Sequence, residues 1–122
     1  MIYVEYDHQR RYKGGTPISE YVDNNELQIG GGYDVEAIRV RTSPNYFEVK
    51  IKRIGWIRAY MPKEYRDQAK LPLIELFHNC ENPKIFLKEN RQAYWIVDIL
   101  LTSNSKKVNV FDWLLDRGLV FQ

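Results

Sequence analysis

From Val35 to Ile51 the chain alternates apolar and charged residues with a period of two. Ile38, Val40 and Thr42 interleave with Ala37, Arg39 and Arg41, and after a break Phe47, Val49 and Ile51 interleave with Glu48, Lys50 and Lys52. Successive side chains of a strand point to opposite faces, so each run reads as a half-buried strand with one face on a core. Ser43, Pro44 and Asn45 between them have turn chemistry, and a hairpin is the simplest connection. Any fold for this chain must accommodate that hairpin.

The remainder supplies the other layers. A third short strand covers Trp56 to Tyr60, after the break at Gly55, and stops at Pro62. Tyr65, Ala69, Leu73, Leu76 and Phe77 then fall at helical spacing, with Glu64, Arg66, Asp67, Lys70 and Glu75 on other faces. Pro72 lies inside that pattern, where a continuous helix would lose about 3 kcal/mol, so a kink or a restart with Pro72 in the first turn is expected. Asn79 to Pro83 ends it. Lys84 to Lys88 and Tyr94 to Leu101 read as two more strands, the second apolar on both faces except at Asp98. Ser103 to Lys107 read as a polar loop. Asn109 then caps a helix carrying Val110, Phe111, Trp113, Leu114 and Leu115, Gly118 sits at its C-terminal end, and Leu119 to Phe121 form an apolar tail that must dock.

A length of 122 residues, 44% hydrophobic and 28% charged, fits one core. Residues 1–32 read as an arm and linker: a strand-like run from Ile2 to Tyr6, the polar stretch Arg10 to Gly15, one helical turn from Thr16 and Pro17 through Tyr21, and the triplet Gly30 to Gly32 as a flexible joint. No Lys-Ser/Thr follows the glycines, so a phosphate-cradling loop is the weaker reading. Residues 33–122 form the main domain. Cys80 has no partner in the chain, and there is no apolar run of signal-peptide or membrane-span length, which points to a reducing compartment, cytosol or nucleus, with no membrane partner. The formal charge of +2 is too small to imply nucleic-acid binding by bulk electrostatics. Locally, however, residues 34–62 carry six basic and three acidic side chains.

Three strands, a helix, two strands and a final helix is the order of a five-stranded OB-type barrel of the α+β class, with two or three helices and an N-terminal arm. The stretch Val108, Asn109, Leu114, Leu115, Gly118 and Leu119, after the Ala93 to Leu101 strand and a short loop, resembles the C-terminal signature of staphylococcal-nuclease-like domains. Val35, Val40, Ser43, Pro44, Tyr46, Phe47 and Val49 resemble the opening strands of extended Tudor domains, in which such a barrel is interrupted by a Tudor core. Between Lys52 and Glu64 there is room for one strand and none for a core. The resemblance therefore implies a nuclease-like barrel without the aromatic cage that binds methylarginine.

Nucleases of that kind hold a divalent cation with acids, activate water with a Glu and stabilise the transition state with two Arg. Arg53 and Glu64 fall near positions resembling the first Arg and the Glu. The turn Thr42 to Asn45 has no acid, Ala59 to Pro62 lacks the expected Asp, and Gln92, Ala93 and Tyr94 stand where a Gly-Arg would be. No catalytic residue, metal site or cofactor is expected. His78 and Cys80 are two ligands without a third, and Asp98 reads either as a site carboxylate or as one satisfied by a neighbour.

Two functions remain open. The resemblance implies a non-catalytic scaffold for another protein, in a cytoplasmic, granule-associated setting of germline small-RNA (piRNA) pathways. Alternatively, Arg39, Arg41, Lys50 and Lys52 share the outer face of the hairpin with Arg53 and Arg58 nearby, and Tyr46, Trp56 or Tyr60 could stack on bases, giving a single-stranded RNA or DNA site. Trp95 and Trp113 read as core. Ile2, Tyr3, Val4 and Tyr6 are candidate partner-binding residues, able to add a strand to a second copy or to pack on their own barrel.

Overall fold

A computed structural model of the chain describes residues 3–6 and 27–121. The expected turn at Thr16 to Tyr21, the Arg10 to Gly15 stretch and Ile2 lie outside them. The described elements run β1 (Tyr3–Tyr6), β2 (Gly32–Arg41), β3 (Tyr46–Ile51), β4 (Gly55–Tyr60), α1 (Lys70–His78), β5 (Glu81–Asn90), β6 (Trp95–Ser103), β7 (Lys106–Asn109) and α2 (Val110–Asp116).

Strand neighbours run β2, β3, β4, β6, β5 and back to β2, which closes a five-stranded barrel. All its ladders are antiparallel except β4 against β6, where Ala59 meets Trp95 and Tyr60 meets Ile96 in parallel. This mixed barrel with α1 between its third and fourth strands is the OB-type arrangement expected from the order of elements. A bulge between Val35 and Ala37 bends β2, so that Gly32 to Asp34 pair with β5 while Ala37 to Val40 take β1 as a parallel neighbour. Tyr3, Val4 and Tyr6 thus lie in the sheet of their own barrel.

The inward residues of the hairpin, Ile38, Val40, Phe47, Val49 and Ile51, are buried as the alternation requires. Phe47 stacks on Tyr65 at 5.2 Å and meets Phe77 of α1 edge-on at 5.6 Å, so α1 plugs the barrel. Pro72 stands in the first turn of α1, after a 3-10 turn at Asp67–Ala69, where its missing N–H leaves no helical bond unmade.

Several local expectations change. The Gly30 to Gly32 triplet is no flexible joint. Gly30 donates to the Leu87 carbonyl at 2.7 Å, Leu87 donates to that of Gly31, and a Cβ on Gly32 would stand 2.6 Å from the Phe86 ring. β5 begins at Glu81, with Pro83 buried beside a bulge that spares it a ladder bond. Ser103 to Lys107 is a hairpin rather than a loop, because Asn104 and Ser105 both take positive φ and turn β6 tightly into β7. The Asn109 side chain accepts from the Asp112 N–H at 3.0 Å as the N-cap of α2, and Gly118 ends the helix at φ +66°. The apolar tail docks on the segment after β4: Arg66 donates to the Leu119 carbonyl and Phe121 to that of Glu64, with Val120 buried against Tyr65.

Candidate functional site

The outward face of β2, β3 and β4 carries the cations singled out in the sequence. Register sets Arg39 opposite Glu48 and Glu48 opposite Arg58, with Arg41 opposite Tyr46 and Lys50 opposite Trp56. This face is not the solvated stripe that alternation alone implies. Glu48 is fully buried and Arg41 is only 4% exposed. The Arg41 Nε and Nη2 donate to Glu48 Oε1 at 2.7 and 2.6 Å, and Arg39 Nη1 stands 3.9 Å from the same oxygen. Two charges leave water together only when each satisfies the other, so Arg41 is committed to the protein interior. Trp56 is buried too, beneath the Arg39 guanidinium at 4.1 Å. Lys50 reaches Glu36 at 3.0 Å, and Lys52, Arg53 and Arg58 are exposed.

At the end of the same face, Tyr46 and Tyr60 stack at 5.0 Å with planes 11° apart, and Tyr94 tilts against Tyr60 at 4.3 Å. Burial pushes the Tyr60 phenol above its ordinary value, Tyr94 and Glu64 add to this, and Arg58 opposes it. Tyr94 was read from sequence only as a strand residue. It joins the row because β6 starts, in parallel, beside the last residues of β4, which sets Tyr94 next to Tyr60, and nothing local in the sequence announces that pairing. Tyr65 ties the row to the hairpin turn. Its buried hydroxyl lies 2.6 Å from the Arg41 carbonyl and 2.9 Å from that of Tyr46, while Asn45 Nδ2 donates to the Tyr65 carbonyl at 2.6 Å.

A second site lies outside the barrel between β5, β6, β7 and α2. It is an open groove of about 1120 Å³. Phe86, Leu100, Val108 and Trp113 supply its apolar lining, and Leu100 is 38% exposed. Trp113 is therefore only partly covered, not a core residue, and the Arg117 guanidinium lies over its ring at 4.2 Å. Asp112 and Asp116, one helical turn apart on α2, stand along the groove, and Lys84 pairs with Asp34 at 3.7 Å on its far side. The apolar outward residues of β6 that suggested a strand covered on both sides are in fact partly the floor of this groove.

The remaining sequence candidates are separate. Asp98 pairs with Lys88 at 3.4 Å, His78 is exposed, and Cys80 is buried, which pushes its thiol up and leaves little thiolate. Arg53 occupies the β3–β4 turn at φ +68°, and Glu64 is exposed in the segment after β4. Among the described residues no group of three or more His, Cys, Asp or Glu is arranged to hold a metal ion. Among them, too, no helix is long and apolar enough to cross a membrane. Comparison with protein-family models, curated proteins and solved structures gives no match to this chain.

Proposed function

We propose that the chain is a non-catalytic, nuclease-like OB barrel that works as a protein-interaction module, taking an extended apolar segment of a partner protein into the groove between β5, β6, β7 and α2. One observation carries this reading. Much of the charge and aromatic surface of the hairpin face is already engaged by the protein's own groups, whereas the groove leaves Leu100 and parts of Phe86, Val108 and Trp113 facing solvent. Selection of a random peptide library on the full chain tests it. Enriched peptides are expected to lose at least about tenfold in affinity on the Leu100→Glu variant, with its circular dichroism spectrum and melting temperature measured beside those of the parent to show that it folds. Failure to enrich, or peptides that bind this variant as well as the parent, overturns the reading.

A single-stranded nucleic-acid site is the second reading, favoured by the Tyr46, Tyr60 and Tyr94 row with Arg58, Lys52 and Arg53 exposed on the same face. Fluorescence anisotropy with labelled single-stranded RNA would then show salt-sensitive binding that the triple variant Lys52→Glu, Arg53→Glu, Arg58→Glu abolishes. Unchanged affinity in that variant rules it out.

A further inference from the structure

The barrel closes without β1. Every strand of the ring has a neighbour on each side, and β1 is added from outside it, in parallel, along Ala37 to Val40. The bulge in β2 makes the place for it. Before the bulge, Gly32 to Asp34 give their second edge to β5. After it, the second edge of Ala37 to Val40 has left β5 and would present unpaired N–H and C=O groups if β1 were removed. Ala37, Ile38 and Val40 are buried, and α1 lies beside β1, so this edge is one wall of a slot in the packed part of the molecule. A fixed edge of this kind is a template for an added strand.

β1 is lightly attached by comparison. It has four residues and, among the described residues, one ladder, which is of the parallel kind that is slightly weaker per residue. Residues 7–31 separate it from β2 in sequence. The entropy lost in closing a loop grows with its length, which narrows the advantage of a strand on the same chain over an identical one on another.

We infer that the Ala37 to Val40 edge is a docking seat for an exchangeable strand: β1 of the same chain fills it in the monomer, and β1 of a second copy fills it in a dimer whose copies lend each other Tyr3–Tyr6. The second copy is the occupant because its strand has the sequence that already matches this edge in register, from Tyr3 beside Ala37 to Tyr6 beside Val40. This interface is separate from the groove and does not rest on it.

Shortening the connection tests it. Deleting residues 8–25 leaves seven residues between Tyr6 and Gly32, fewer than the dozen or so that a parallel crossover needs, so β1 can no longer reach its own seat. Sedimentation velocity is expected to show a dimer, and the added pair Val4→Pro, Glu5→Pro to return it to a monomer. One of two consecutive strand residues faces the ladder, so that pair removes at least one of its N–H donors. A folded, monomeric shortened chain, or a dimer that survives the two prolines, overturns the inference. The full-length chain gives the second readout, which decides the matter should the shortened one fail to fold. A labelled peptide of residues 1–7 is expected to bind full-length Val4→Pro, Glu5→Pro at least about tenfold tighter than the parent, whose seat is taken. Equal affinity for the two, or no binding to the proline variant, overturns the inference as well.

Discussion

The barrel's two outer faces engage their charge to different depths. On β2, β3 and β4 the side chains that alternation sends outward are folded onto one another: Arg41 on Glu48, Arg39 over Trp56, Lys50 on Glu36, Tyr46 on Tyr60. On β5, β6, β7 and α2 the corresponding side chains line an open groove with two carboxylates that meet no cation of the described residues. The sequence ranks these regions the other way, since residues 34–62 hold the basic excess and residues 63–122 carry nine basic against eight acidic side chains. Charge counted along a chain is thus a poor guide to charge available to a ligand. What decides availability is whether register places an opposite charge across the ladder, as it places Glu48 between Arg39 and Arg58.

The largest expected effect follows from that buried pair. Glu48→Ala leaves the Arg41 guanidinium without its carboxylate in a site 4% exposed, and should cost about 3–5 kcal/mol in urea denaturation. That is a large share of the stability of about 5–15 kcal/mol usual for a domain. Replacing both members with apolar residues, Glu48→Leu with Arg41→Met, should recover part of the loss, because the most buried cation leaves with its carboxylate and only the more exposed Arg39 loses the Glu48 oxygen 3.9 Å away. A loss below about 1 kcal/mol for Glu48→Ala would mean that this face is as wet as the groove, and the contrast between the two would disappear. Tyr65→Phe probes the same side more gently. The hydroxyl serves two buried carbonyls, and its removal should lower stability by about 1–3 kcal/mol at constant m-value.

How much of this was readable beforehand depends on the range of the interaction involved. The inward set of the hairpin and the Asn109 cap are local, each decided within a few residues and shown by the sequence, while Pro72 takes the second of the two places the sequence allowed it, the first turn of α1 rather than a kink. The same reasoning misses the β6–β7 hairpin, because its turn uses Asn104 and Ser105 at positive φ without the glycine that usually marks such turns. It misses the burial of Arg41 and Trp56 because alternation says which face a side chain takes and nothing of what covers that face. The Tyr60 and Tyr94 contact needs the parallel meeting of β4 with β6, and the groove needs α2 laid on β6 and β7, so both sites are products of topology.

On the groove side the expected effects are smaller, since little there is buried. Asn109→Ala removes the acceptor for the Asp112 N–H and should destabilise α2 by about 1 kcal/mol, read as faster amide exchange along Val110–Asp116 with the barrel strands unaffected. If exchange rises equally in β2 and β3, the two faces unfold as one unit and the groove wall is no independent element.

The smallest effect is a pH dependence at the tyrosine row. The Tyr60 phenol lies above its ordinary value of 10.0, chiefly through burial, so the folded protein keeps a proton that the unfolded chain releases. Stability from this group is therefore fully present below about pH 10 and is lost as pH rises through the folded value. Melting temperatures measured on both sides of that point should fall less steeply for Tyr60→Phe than for the parent. Cys80, raised by burial from 9.0, acts in the same direction in both proteins, so the difference between them isolates the phenol. Identical slopes would show Tyr60 to be fully hydrated on a face whose neighbours are not, and would reopen the row of Tyr46, Tyr60 and Tyr94 as a surface able to stack on a ligand rather than on itself.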